Sequence, residues 1–146
     1  MEKLHQIRTL SVRNAQWVDD VIVVRLGSSD QMLNAILNGA TVAFQLSLRE
    51  GFEVKVSEAL LKGIPVVAYN SGGIALQIDE KKDGYLIERG DIAEVCNAMY
   101  TLITNPQQLR ELKYNAKNKL REWILSPFNV LQWNYILLEA IEKRQN

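Results

Sequence analysis

The sequence predicts an α/β fold, a parallel sheet covered by helices on both faces. Three observations lead there. The strand-like segments are near-continuous apolar runs, as strands buried on both sides must be. Segments with helical start and stop signals alternate with them. Polar or glycine-bearing loops follow the runs, and in such sheets ligands gather beyond the carboxyl ends of the strands.

The elements follow in order. Lys3 to Val18 has apolar residues at roughly helical spacing (Leu4, Ile7, Val12, Ala15) and reads as a helix. Val21–Leu26 is a β-branched run suited to a buried strand. Gly27 ends it, and Ser28, Ser29 and Asp30 offer N-caps for a helix to about Asn38, stopped by Gly39. Thr41–Leu46 is the second strand and Ser47–Gly51 a polar loop. A helix is expected from about Phe52 to Lys62, ending at Gly63. Pro65–Tyr69 is the third strand, its proline at the start, where a missing N–H is tolerated. Asn70–Gly73 is a tight loop, Ile74–Ile78 a short helical or extended piece, Lys81–Gly84 a turn and Tyr85–Ile87 a short strand. Asp91 caps a helix to about Ile103, Asn105-Pro106 opens another to Ile124, and Ser126-Pro127 breaks the chain before a last helix ending near Lys143.

Composition narrows the function. The chain has 146 residues, room for a packed core, with 47% apolar and 23% charged types. Lys+Arg and Asp+Glu are both 17, which argues against a protein that lives on phosphate-backbone attraction, so no nucleic acid is expected. One cysteine, Cys96, excludes a disulfide framework and a cysteine-based zinc site. The single histidine, His5, falls in the first helical segment, which speaks against a Ser-His-Asp or Cys-His arrangement. Cys96 is expected in the core and His5 on the surface. No run reaches the ~20 apolar residues of a membrane span and MEKLHQIRTL has no signal-peptide core, so a cytoplasmic setting is expected.

Three loops should share one rim: Arg25–Ser29, Ser47–Phe52 and Asn70–Gly73. In the second, Gly51 allows a positive φ or the close approach of a ligand. The first helical amides, near Phe52, Glu53 and Val54, have no intrahelical partner, and the helix dipole favours an anion there. Glu50 lies on the loop and Glu58 on the helix eight positions on. Val56, Ala59 and Leu60 form an apolar stripe, and Glu58 is about 200° from Val56 and Leu60, at ~100° per residue. Its neighbours Val54 and Leu61 are apolar too, so its carboxylate must be paired or must face a polar cleft, where it would suit two sugar hydroxyls. Two plain alternatives stand: a helix ion pair of Glu58 with Lys55 or Lys62, and a solvated Glu50 paired with Arg49. Asn70–Ile74 offers consecutive amides that could nest a phosphate, or simply a strand-to-helix turn. No dinucleotide or P-loop fingerprint occurs.

Glu50-Gly-Phe52, Ser57-Glu-Ala-Leu60, Gly63-Ile-Pro-Val-Val-Ala68, Ser71-Gly-Gly73 and Asp83-Gly-Tyr-Leu86 follow one another in that order. Together they resemble the carboxyl-terminal domain of retaining GT-B glycosyltransferases of family four, over about Val21 to Leu102. The runs Ser28–Asn34 and Gln45–Leu60 look most like the trehalose phosphorylase and trehalose synthase branch. There, Glu53 stands where many relatives have glycine. The resemblance implies a Rossmann-like donor-binding domain and glucosyl transfer with retention, without a metal or other cofactor, from glucose 1-phosphate or a nucleotide-glucose to a sugar acceptor. Glu50 would contact the donor hydroxyls and carry the catalytic role. Gly51, Phe52, Glu53 and Val54 would meet the sugar or its phosphate. Glu58 would bind a ribose in a nucleotide-sugar user and order the pocket in a phosphorylase. Gly72 and Gly73 would shape the phosphate side, and Arg25 to Gly27 would border a nucleobase. Alternatives are a nucleotide-sugar transferase with another acceptor, and a non-catalytic sugar-phosphate-binding or interaction module.

The family's carboxyl-terminal domain opens with further strand–helix units bearing a basic Arg and Lys pair, and nothing before Val21 matches that text. The amino-terminal domain with the acceptor site is also unmatched. The expected organisation is therefore a partial donor-binding domain over residues 1–125 and a final helix over 126–146 that crosses to an amino-terminal GT-B domain. In the tail, Leu109, Leu112, Ala116 and Leu120 follow helical core spacing, while Trp123, Trp133 and Tyr135 are large enough to anchor a helix across a seam. Without its partner domain that helix should expose an apolar patch and invite association, including self-association.

Overall fold

A computed structural model of the chain describes residues 30–119 and 126–145. The first expected helix and strand, His5, Arg25, Gly27, Leu120 and Trp123 lie outside the described residues. The chain divides into two units between Ala35 and Ile36, and everything from the first described strand onward belongs to the second. In chain order the described elements are α1 (Asp30–Gly39), β1 (Ala43–Gln45), α2 (Val54–Leu61), β2 (Val66–Tyr69), a 3-10 turn (Gly72–Leu76), β3 (Gly84–Ile87), α3 (Ile92–Thr104), α4 (Pro106–Asn118) and α5 (Ser126–Gln145).

The three described strands form a parallel sheet in the order β1-β2-β3. All four residues of the central strand β2 are buried, and they alternate between two cores. Val66 and Ala68 face Val56, Ala59 and Leu60 of α2, together with Ile74, Ile78 and Ala116. Val67 and Tyr69 face Tyr85, Ile87, Val95, Ala98, Leu102 and Leu112. A strand that buries both faces has no polar positions to spare, which is why its sequence reads as an unbroken apolar run. The Rossmann-like arrangement, a parallel sheet with helices on both faces, is thus present.

Helix starts follow their signals. The Asp91 side chain accepts from the Glu94 amide at 3.0 Å, and Asn105 accepts from the Gln108 amide at 3.1 Å just ahead of Pro106. Tyr85 is buried, and its hydroxyl accepts from Gln108 Nε2 at 2.7 Å. Burial first, and the Glu80 carboxylate second, push its phenol above the ordinary value, against the lowering effect of that hydrogen bond.

Some expectations are corrected. β1 is three residues long, shorter than Thr41–Leu46. α4 ends at Asn118 and does not run to Ile124. Lys119 turns extended, and its ammonium meets Asp79 at 2.5 Å and the buried Asp83 at 3.5 Å. Cys96 is exposed, not in the core. On α3 the buried residues are Val95, Ala98 and Leu102, and Cys96 sits about 100° around from Val95, off that stripe.

Helix α5 carries Val130, Leu131, Trp133, Tyr135, Ile136, Leu137, Leu138 and Ile141, every one exposed. The expected apolar patch on the last helix is therefore present.

Candidate functional site

β1 ends at Gln45, in register with Ala68 of β2, and the strands are parallel, so the loops that follow them leave the same edge of the sheet. These are the Leu46–Glu53 loop before α2 and the Asn70–Ser71 loop leading into the 3-10 turn. They are in direct contact. A Cβ at Gly72, whose φ is +54°, would fall 2.0 Å from the Glu50 carbonyl oxygen. One at Gly73 would fall 2.8 Å from the Gly51 carbonyl oxygen and 3.1 Å from Phe52 Cα. Only glycine allows two backbones to lie this close. The Gly73 amide donates to the Gly51 carbonyl at 2.6 Å. It is therefore spent on joining the loops, which favours the strand-to-helix turn over the phosphate nest for Asn70–Ile74.

Side chains complete the closure, and sequence reasoning missed them. Gln77 is fully buried. Its Nε2 donates to the Phe52 carbonyl and, at 3.2 Å, to the Gly73 carbonyl, while its Oε1 accepts from Ser57 Oγ of α2. Ser71 Oγ donates to the Leu48 carbonyl at 3.2 Å. The sequence did carry a signal: Gln77 is a neutral polar residue inside the apolar stretch Ile74–Ile78, and such a residue must find partners when buried.

At the rim, Gln45 Nε2 lies 3.3 Å from Glu50 Oε1, 3.2 Å from Glu53 Oε2 and 3.3 Å from Ser47 Oγ. The structure thereby brings Glu50 and Glu53 to one amide. The expected backbone turn at Gly51 is moved. Gly51 does not have a positive φ; Glu53 does, at 58°. α2 accordingly starts at Val54, not Phe52, because the left-handed residue interrupts the helical path. No side chain caps its mouth. The amides of Val54 and Lys55 open the helix without an intrahelical acceptor, at its electropositive end. Phe52 and Val54 are both exposed beside it.

Glu58 is half-buried on α2, between the buried Ser57 and Ala59. Neither plain alternative is realised among the described residues. Lys62 donates to Asn38 Oδ1 at 3.0 Å, and no ion pair joins Glu58 to Lys55 or Lys62, or Glu50 to Arg49. Among the described residues no cluster of three or more His, Cys, Asp or Glu is placed to hold a metal ion, and no helix is long and apolar enough to cross a membrane.

Two linked loops and an uncapped helix start thus lie at one edge of the sheet, with Glu50 and Glu53 on one amide there. Comparison with known proteins gives the family and the fold. The profile described as "Glycosyl transferases group 1" matches residues 11–119. The chain belongs to that family. A trehalose phosphorylase of Grifola frondosa is 37% identical over 137 residues, covering 94% of this chain and 19% of the relative. A trehalose synthase of Thermococcus litoralis is 36% identical over 111 residues, covering 76% of this chain and 24% of the relative. The chain thus spans about a fifth of the length of these curated relatives. Among solved structures, the sucrose-phosphate synthase of Thermosynechococcus elongatus superposes with a TM-score of 0.78 at 22% identity, covering 97% of this chain and 35% of that one. The C-terminal domain of a glycosyl transferase group 1 family protein from Francisella tularensis gives 0.71 at 17% identity, covering 80% of this chain and 60% of that one. These likenesses support the fold, that of a GT-B carboxyl-terminal domain.

Proposed function

We propose that this chain is the donor-binding part of a glucosyltransferase of trehalose metabolism, which moves a glucosyl group with retention from a phosphate-activated donor to a sugar acceptor. The observation that carries this reading is the meeting of the two strand-end loops, with Glu50 and Glu53, the residue that precedes the uncapped start of α2, on one amide. In this reading Glu50 accepts the donor's hydroxyls and orients the ring. The Gly51–Val54 turn lies against the sugar and its phosphate, and the Gly72–Gly73 backbone holds that turn from behind. As the bond between the anomeric carbon and the phosphate oxygen breaks, negative charge grows on the departing phosphate. Fixed amides and the helix dipole stabilise it without having to reorganise. The acceptor site belongs to an amino-terminal GT-B domain, against which α5 packs its apolar side chains. The setting is cytoplasmic.

A nucleotide-glucose donor is the second reading, and one observation favours it: Glu58 has no ion-pair partner among the described residues, so its carboxylate is open to a diol such as a ribose. Arg25 and Gly27 would then border the base.

Titration of the chain with glucose 1-phosphate, UDP-glucose and ADP-glucose tests both. Saturation of the first, weakened about tenfold or more by Glu50→Gln, is expected from the loss of a hydrogen bond to a charged acceptor. Binding of a nucleotide sugar alone selects the second reading. Binding of none of the three overturns the proposal.

A further inference from the structure

Glu50 is held in an unusual way for a carboxylate at a binding rim. None of the ion pairs among the described residues involves it. Its described side-chain partner is the neutral amide of Gln45, 3.3 Å from Oε1. Gln45 is the last residue of β1, and its Cα is fixed by the pairing with Ala68 in the middle of the sheet.

The geometry points to Gln45 as a positioning residue for Glu50, an inference that rests on the proposed donor site. An amide nitrogen has two N–H bonds, and here three acceptors surround it: Ser47 Oγ, Glu50 Oε1 and Glu53 Oε2. A neutral donor aims a carboxylate without forming an ion pair with it, which leaves the remaining lone pairs of Glu50 for sugar hydroxyls. A lysine or arginine in the same place would hold the carboxylate more tightly but would compete with the hydroxyls for it. The same nitrogen takes Glu53, the left-handed residue at the mouth of α2. Gln45 therefore ties both the sugar-contacting carboxylate and the helix entry to the rigid sheet, and its effect on donor binding passes through Glu50.

The test is a double-mutant cycle on glucose 1-phosphate affinity, read by NMR titration so that weak binding is measured. Gln45→Leu keeps the side chain's bulk and removes the amide. Gln45→Asn keeps an amide on a shorter arm. The expected result is a loss of about tenfold for Gln45→Leu and a smaller loss for Gln45→Asn. In the Glu50→Gln background, Gln45→Leu should add no more than about twofold. A merely structural role predicts the reverse order, because leucine suits a strand end better than asparagine, and it predicts losses that multiply. Unchanged affinity in Gln45→Leu, the reversed order, or multiplying losses overturns the role of Gln45 while the donor site stands. Should Gln45→Leu fail to give a cooperative thermal transition, the same cycle is run with Gln45→Asn. Absence of binding by the wild-type chain overturns the donor reading, and the role of Gln45 with it.

Discussion

Asp79 and Asp83 lie against the ammonium of Lys119, whereas Glu50 and Glu53 lie against the neutral amide of Gln45. In the first cluster Asp83 is buried, accepts from the Asp79 amide at 2.8 Å and closes the 79–83 turn onto the end of α4. Its charge is met by an opposite charge, and the cluster acts as a clasp. In the second cluster no ion pair among the described residues involves either carboxylate, both are only half-buried, and a helix start without a side-chain cap lies beside them. Two acidic pairs of similar composition thus have different surroundings. An ammonium shared by two carboxylates makes a structural joint, whereas two carboxylates on a neutral amide at a strand-end rim suit the donor site proposed above.

The contrast can be broken in order of expected effect. Gly72→Ala should be the most damaging substitution, because its Cβ would strike the Glu50 carbonyl at a left-handed φ. A destabilisation of about 3 kcal/mol or more is expected, read by thermal or denaturant unfolding, with loss of donor binding. Asp83→Ala should cost about 2–3 kcal/mol, since it breaks a buried, hydrogen-bonded acceptor away from a partly exposed lysine, yet should leave donor affinity within about twofold. Glu50→Gln should show the opposite profile: stability within about 0.5 kcal/mol and donor affinity down about tenfold or more. The smallest effect belongs to Glu53→Gly. It relieves a left-handed side-chain residue and gives up one of three acceptors on Gln45, for a net gain of up to about 1 kcal/mol in unfolding free energy.

Much of this was legible in the chain. Val66–Tyr69 declared its burial on both faces by having no polar alternation, and Asp91 and Asn105-Pro106 marked helix starts through local chemistry that tertiary contacts do not override. Glu50 and the loops of the rim followed from motif order and sheet topology. What was not legible depends on contacts between distant segments. The positive φ sits at Glu53 and not at Gly51, because Gly73 holds the Gly51 carbonyl and Gln45 holds the Glu53 carboxylate. Gln77 finds its hydroxyl partner on α2 and its carbonyl partners at Phe52 and Gly73, contacts that the local sequence does not display. The end of α4 was set by Lys119 turning toward Asp79 and Asp83, a contact that helical periodicity cannot foresee.

Backbone amide shifts of the labelled chain on addition of glucose 1-phosphate test the central claim most directly. The largest changes are predicted at Gly51–Lys55 and Gly72–Gly73, with the Asp79–Asp83 turn and Asn115–Lys119 unmoved. Changes confined to that turn and the end of α4, or none anywhere at saturating sugar phosphate, would contradict it.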